Sequence, residues 1–513
     1  MHCWTLRVAA WSFAWLVLLP ETVCATRHTF PSRAVTDSNL TYTKNSGICE
    51  TTPGVGQISG YINIAGDASM WFWFFEARNS PETAPLTLWL NGGPGCSAMI
   101  GLFQENGPCT VKPDGITTTL NPYSWNNISN MIYIDQPIGA GFSFGNGTVT
   151  TTHDAAKTMW TAFQILFESP EFSGFQGRDL IFATESYGAH YGPAFITYFN
   201  AQNTLIDSGE LTGQKIVFTS LMINDGKHDP LIQYKSYINF AMNAPGYGPL
   251  QGPATLAAMS VAFSQTNGCQ AQLEACYAAG TKRADDALCA AANDLCASDV
   301  FFPAIRGRDS GDLRQASNTT DPFPPTYYKA LLRTQAVLDA IGATSTYDAC
   351  SDAVQAGFAS SGEFGRTALP PLAALADARF PILIWVGDAD IKANWLGVHE
   401  AMVSMSWYGN LTLNNTALTN WTLDGTPVAS VKTVDSFTFS RVFGGGHNLP
   451  AYVPSTAFAF FSQVVRKASA GSGPSASSAP SPLPPSTPSS AAGGAHIGLW
   501  LHCTFWTLVA IFL

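Results

Sequence analysis

The run Leu-Ile-Phe-Ala-Thr-Glu-Ser-Tyr-Gly-Ala over residues 180–189 passes from an apolar segment straight into a tight polar turn, and a helical pattern follows. A serine at a strand–turn–helix junction of this kind sits on a sharp turn with its hydroxyl exposed. Ser186 is that serine. A serine hydroxyl is a weak nucleophile until a base takes its proton and a third group orients the base. His447, in VFGGGHNLP, supplies an imidazole where an apolar run ends and three glycines allow close approach. The orienting acid is expected between them in sequence. The apolar run of ILIWVGDADIKAN ends in two aspartates, and either Asp388 or Asp390 could serve. An oxyanion formed in such chemistry needs backbone N–H donors where charge develops. Tyr187, just after the serine, is one donor, and Gly93 in LWLNGGPGC is the other.

Elements must bring these segments together. Short apolar runs at 60–64, 70–75, 86–90, 131–134, 180–183, 216–223, 382–386 and 437–443 read as buried strands. The first two suit an antiparallel pair around Gly66-Asp67. The later ones alternate with helical patterns, which predicts an α/β fold with a mostly parallel sheet. Over 155–167, Ala156, Met159, Trp160, Phe163 and Phe167 share one helix face, which predicts core packing. Residues 226–375 are alanine-rich with few strand signals and read as an inserted helical cap. The order serine, aspartate, histidine is that of α/β-hydrolases.

Hydrophobic residues form 46% of the chain and charged residues 12%, a balance that requires a large core and excludes general disorder. The net charge of −11 offers no basic face for nucleic acid. Residues 1–25 carry Arg7, an apolar run and Val23-Cys24-Ala25, the layout of a removable secretory signal peptide. Residues 26–468 then form the catalytic domain. Residues 469–490 are nearly all Ser, Pro, Ala and Gly and predict a stalk. Small residues and an apolar tail follow, so 491–513 read as a GPI-attachment propeptide, with the lipid added near Ser489 or Ser490 and the protein tethered to a membrane. Between these ends lie Cys49, Cys96, Cys109, Cys269, Cys276, Cys289, Cys296 and Cys350. An even set in an exported chain predicts disulfides. The four from Cys269 to Cys296 lack a C-x-x-C pair, which favours disulfides over zinc. No metal or cofactor is expected. Asn-x-Ser/Thr sites at Asn39, Asn127, Asn146, Asn318, Asn410, Asn414 and Asn420 predict a glycosylated surface.

WLNGGPGCS, QENGPC, IDQPIGAGFSF, ESYG, GDADIKANWLG and GGGHNLP, in this order over roughly 45–465, resemble the serine carboxypeptidase family, most closely its secreted fungal members. The resemblance implies an α/β-hydrolase fold with an inserted, disulfide-bonded helical cap. It also implies removal of residues from peptide and protein C-termini in acid. It assigns Ser186, Asp390 and His447 to the catalytic triad and Gly93 and Tyr187 to the oxyanion hole. The substrate carboxylate falls to Asn91, Gly92, Glu105 and Glu185, with Trp89 beside them. Cys96 and Cys350 match a family disulfide, and the other pairings stay open.

Two ionised glutamates would repel a substrate carboxylate, so Glu105 and Glu185 are expected to share protons and to bind best in acid. Thr184 and Ala189 stand where family glycines are common, so the threonine must find room at the turn. Asn448 and Gln104, where methionine and an aromatic are frequent, are expected to make the leaving-residue pocket more polar. An acyltransferase with the same triad, or a non-catalytic surface glycoprotein, are the alternatives.

Overall fold

The computed structural model describes residues 26–471, apart from 65–66, 148 and 281–282. The described strands are β1 (His28–Pro31), β2 (Asn39–Lys44), β3 (Gln57–Ile64), β4 (Ala68–Phe75), β5 (Leu86–Leu90), β6 (Cys109–Val111), β7 (Thr118–Leu120), β8 (Asn130–Ile134), β9 (Leu180–Glu185), β10 (Phe218–Asn224), β11 (Ile382–Gly387), β12 (Thr419–Leu423), β13 (Thr426–Val434) and β14 (Phe437–Val442). Twelve of them form one sheet in the order β1-β2-β3-β4-β8-β5-β9-β10-β11-β14-β13-β12, and β6 pairs with β7 separately. From β8 to β14 the neighbours are parallel. On both sides the sheet continues as antiparallel ribbons. Each predicted apolar run lies within or across one of these strands, and parallel order is confined to the six central ones. β3 and β4 pair antiparallel as expected, but the turn residue Gly66 lies outside the described residues.

The alternation of side chains along β9 shows how the layers are built. Leu180 and Phe182 enter one core with Phe163, Phe195 and Phe199 of the helices on that face. Ile181 and Ala183 enter the other core with Trp89, Trp125 and Phe461. The first three α-helices of the described residues are α1 (Met99–Gln104), α2 (Thr152–Glu168) and α3 (Gly188–Asp207). Thr151 caps α2 by accepting from the Asp154 N–H, which fixes its start. Of the predicted apolar stripe, Ala156, Met159, Phe163 and Phe167 are buried and Trp160 is half-buried. Burying one such large side chain contributes about 1.5–3 kcal/mol.

Between β10 and β11 the chain runs through α4 (Pro230–Met242), α5 (Pro253–Ser264), α6 (Cys269–Ala279), α7 (Asp286–Cys296) and shorter helices. This region has its own small core of Tyr237, Met259, Phe263, Leu273 and Val300. Cys269–Cys296 and Cys276–Cys289 pin α6 to α7, so these four sulfurs are spent on disulfides and not on zinc. Cys49 pairs with Cys109, and Cys96 with Cys350. Disulfides form and persist in an oxidising compartment such as the secretory pathway.

Asn146, Asn318, Asn414 and Asn420 are exposed, whereas Asn39, Asn127 and Asn410 are half-buried. Asn127 Nδ2 already donates to the Pro122 carbonyl at 2.8 Å. No helix of the described residues is long and apolar enough to cross a membrane. The last described helix, Pro454–Gly471, carries helical backbone through 469–471, where a stalk is expected. The signal segment, the rest of the stalk, Ser489, Ser490 and the apolar tail lie outside the described residues.

Candidate active site

Ser186 follows β9 directly and has φ of 58°. That left-handed backbone is costly for a residue with a Cβ and persists only where the surroundings enforce it. Two hydrogen bonds do so: Ser186 N–H donates to the Asn224 carbonyl at 2.9 Å, and Lys227 N–H donates to the Ser186 carbonyl at 3.0 Å. α3 begins at once, so the amide of Tyr187 lies at a helix N-terminus, where partial positive charge favours a developing anion. Tyr187 itself is anchored, with its hydroxyl 3.0 Å from Thr152 Oγ1 and 3.1 Å from Glu363 Oε2.

Thr184 finds its room through Gly188. A Cβ on Gly188 would lie 1.8 Å from Thr184 Oγ1, so this glycine leaves the space the threonine fills. The hydroxyl is satisfied by donating to the Leu90 carbonyl at 2.7 Å. That bond also ties the elbow to the end of β5. A Cβ on Gly92 would meet the Tyr187 nitrogen at 2.5 Å and Ser186 Cβ at 2.9 Å, so the 91–93 backbone passes directly beside the nucleophile turn. The glycine loop is fixed from outside by the Cys96–Cys350 disulfide. It is also held by Ser97 N–H donating to the Ala349 carbonyl at 2.8 Å and Ser351 N–H donating to the Gly95 carbonyl at 3.0 Å.

His447 and Asp390 meet at the strand ends. His447 Nδ1 lies 2.8 Å from Asp390 Oδ2, and both residues are buried. Asp388 points elsewhere: its carboxylate accepts from Tyr247 Oη at 2.7 Å, Gly444 N–H at 2.9 Å and Arg441 Nη2 at 3.2 Å. The two aspartates, equivalent in sequence, thus have separate tasks. Asn224 joins the halves of the site. While its carbonyl holds Ser186, its Nδ2 donates to the His447 carbonyl at 3.2 Å and Glu185 Oε2 at 3.3 Å.

Beside the elbow lies a buried carboxyl pair. Asn91 Nδ2 donates to Glu185 Oε1 at 2.7 Å, and Asn448 Nδ2 donates to Glu105 Oε1 at 3.2 Å and Glu185 Oε1 at 3.4 Å. Asn91 is oriented by Trp89 Nε1 at 2.8 Å and Gly101 N–H at 3.1 Å, both donating to its Oδ1. Trp89 is wholly buried and spends its N–H there, so it positions Asn91. Burial, and then the neighbouring Glu185, hold Glu105 well above the usual carboxylate range. Burial also raises Glu185, against the opposing charge of His447. Glu105 Oε2 is buried and has no partner. Asn448 thus faces the glutamates, and Gln104 Nε2 donates to the carbonyls of Pro324 and Pro325 at 3.2 and 2.8 Å. Gln104 lines a cavity with Phe103, Phe323, Pro324 and Tyr328.

Three residues of this neighbourhood escape a reading of the sequence. Asn224 ends β10 and Asp225 follows it, next to the nucleophile strand, and polar residues at the carboxyl end of a central parallel strand are the signal that could have found them. Asp135, in IDQP, accepts from Ser97 Oγ at 2.7 Å and from the N–H groups of Ala98 and Phe142 at 2.8 Å each. It braces the glycine loop, and burial pushes its carboxyl up to about 6.

Residues 48–467 match the family model described as serine carboxypeptidase. The chain is 42% identical over 429 residues to carboxypeptidase S1 of Penicillium janthinellum, covering 83% of this chain and 99% of that one. It is 31% identical over 421 residues to carboxypeptidase Y homolog A of Uncinocarpus reesii, covering 80% and 74%. In fold it is similar to a prohormone-processing carboxypeptidase, Kex1(delta)p of Saccharomyces cerevisiae, with a TM-score of 0.64, 21% identity, and 80% and 91% of the two chains covered. The chain belongs to the serine carboxypeptidase family, the serine-type class of carboxypeptidase hydrolases.

Proposed function

We propose that this chain hydrolyses the last peptide bond of peptides and proteins in acid, through a covalent acyl-enzyme on Ser186. Ser186 Oγ attacks the carbonyl carbon of that bond while His447 takes its proton. The N–H groups of Gly93 and Tyr187 stabilise the oxyanion. His447 then gives the proton to the leaving amine, and the terminal residue departs. Water attacks the ester by the same route in reverse, and Ser186 is regenerated. Asp390 orients the imidazole and stabilises the imidazolium. Asn91, the Gly92 N–H, Glu105 and Glu185 grip the terminal carboxylate, with Trp89 steadying Asn91. The helical region over 226–375 serves as the cap.

The observation that carries this proposal is the buried pair Glu105 and Glu185, which with Asn91 forms a set of donors matched to a carboxylate next to the nucleophile turn. At pH 4.5 a blocked dipeptide with a free carboxylate should be cleaved with kcat/KM about tenfold or more above its amidated twin. Equal rates would sink the proposal, and transfer to an added alcohol in preference to water would favour an acyltransferase.

The chain is further proposed to mature in the secretory pathway. It would lose residues 1–25, carry glycans on the exposed sequons first, and exchange residues 491–513 for a GPI lipid near Ser489 or Ser490. A phosphatidylinositol-specific phospholipase should release activity from intact cells; activity retained on the cells, or recovered wholly in the medium without treatment, would refute the anchor.

A further inference from the structure

Asp225 is completely buried, follows β10, and has no part in the mechanism above. Its Oδ1 accepts from Gly387 N–H at 2.9 Å, and its own N–H donates to the Trp385 carbonyl at 2.9 Å, so the side chain is fixed in place. A carboxylate oxygen of Asp225, one of Asp390 and a ring nitrogen of His447 all lie within 4.8 Å of one another. Two oxygens in this cluster are buried without a partner: Asp225 Oδ2 and Asp390 Oδ1. The other oxygen of Asp390 is occupied by His447 Nδ1 at 2.8 Å and Ala393 N–H at 3.2 Å. Two ionised carboxylates, each with an oxygen left unpartnered in one dry cluster, would be costly. One proton between them removes a charge and satisfies both atoms.

We propose that Asp225 is a positioning residue that stays protonated and donates its O–H to Asp390 Oδ1, behind the histidine. The consequence rests on the carboxypeptidase function proposed above. A donor on Asp390 draws off part of that carboxylate's charge. Less of that charge then faces the imidazolium formed on His447 during catalysis. The charged groups around Asp225 are consistent with the proton residing there. Asp390 and Glu185 carry the same sign and oppose its ionisation, and burial opposes it more strongly. Opposite charge comes from His447, and from Lys227 and Lys392 around Asp390 and Glu185.

The test compares the wild-type protein with Asp225→Ala and Asp225→Asn, by pH profiles of a blocked dipeptide and by thermal unfolding at pH 4.5 and 7.5. In Asp225→Ala the Asp390 oxygen loses its donor. The acid limb of kcat/KM should move up by about one pH unit, with kcat at pH 4.5 down about tenfold and KM little changed. Asp225→Asn keeps an N–H donor toward Asp390 and should return the acid limb toward the wild-type position. In the wild type the folded state holds a proton that an unfolded aspartate gives up. Stability therefore falls as pH rises through the raised pKa. Asp225→Asn lacks that titration and should lose less of its Tm between pH 4.5 and 7.5. Glu105 and Glu185 contribute equally to both proteins and cancel. If the asparagine variant shifts the acid limb as far as alanine does, or shows the wild-type Tm change, the proposal fails. Loss of activity on dialysis against a chelator would also overturn it, assigning the cluster to a cation. Should Asp225→Ala not fold, the asparagine variant still decides. Unfolding needs no substrate, so a wild type without peptidase activity would refute the function and leave the Tm comparison valid.

Discussion

Ser186→Ala should lower kcat for a blocked dipeptide by at least about 10⁴-fold while leaving KM within a few-fold, since triad residues act as a unit and alanine offers no nucleophile. The geometry makes the serine hard to replace. Its φ of 58° and its ties to Asn224 and Lys227 determine where the Oγ is carried. Neighbouring hydroxyls on Thr184 and Thr152 are committed to Leu90 and Glu363 and have no route to the substrate carbonyl. Alanine removes one oxygen and relaxes none of the surrounding bonds, so Tm should be unchanged or slightly higher. Mass spectrometry after an organophosphonate should find the adduct on the Ser186 peptide alone. Full turnover by the alanine variant would end the acyl-enzyme mechanism.

The second large effect concerns pH. Wild-type KM for a free-acid dipeptide should rise about 10–100-fold from pH 4.5 to 7.5, the worth of a charge-assisted hydrogen bond replaced by repulsion. The sign follows from burial. Glu105 and Glu185 both titrate above the ordinary carboxylate range, so the protonated pair persists in mild acid and can donate to the substrate. As pH rises through the raised values the pair becomes a dianion, and both its grip and its contribution to stability are lost. Glu105→Gln keeps a donor at every pH. Its KM should vary several-fold less across the same range, with kcat nearly unaltered. A wild-type KM that stays flat from pH 4.5 to 7.5 would remove the carboxyl pair from the account.

How much of this is legible in the sequence depends on whether a residue's task is local. Ser186, His447 and Gly93 could be picked out because each needs a special backbone: a tight turn, a run of glycines, a loop after a strand. The central strands were legible because they are buried on both faces and read as continuous apolar runs. β12 and β13 escaped because they lie at a half-exposed edge and mix polar with apolar residues. Their two-residue turn, Asp424-Gly425, with both φ values positive, was the signal available. Asp388 and Asp390 could not be separated by inspection, since only the fold sends one to Arg441 and Tyr247 and the other to His447. Asp225 looked like any acid after a strand; its meaning comes from partners 162 and 165 residues away, at Gly387 and Asp390. Nor could the sequence show that the Asn448 amide donates to both glutamates.

The Cys96–Cys350 bond spans 254 residues of chain and, among the described residues, is the one disulfide that bridges the stretch between Cys296 and Cys350. Within that stretch residues 316–323 are largely exposed and outside any helix or strand. A backbone cut there would leave two polypeptides still joined covalently, with Ser186 on one and the aspartate and histidine on the other. Such a nicked enzyme would travel as a single species until a thiol reductant split it.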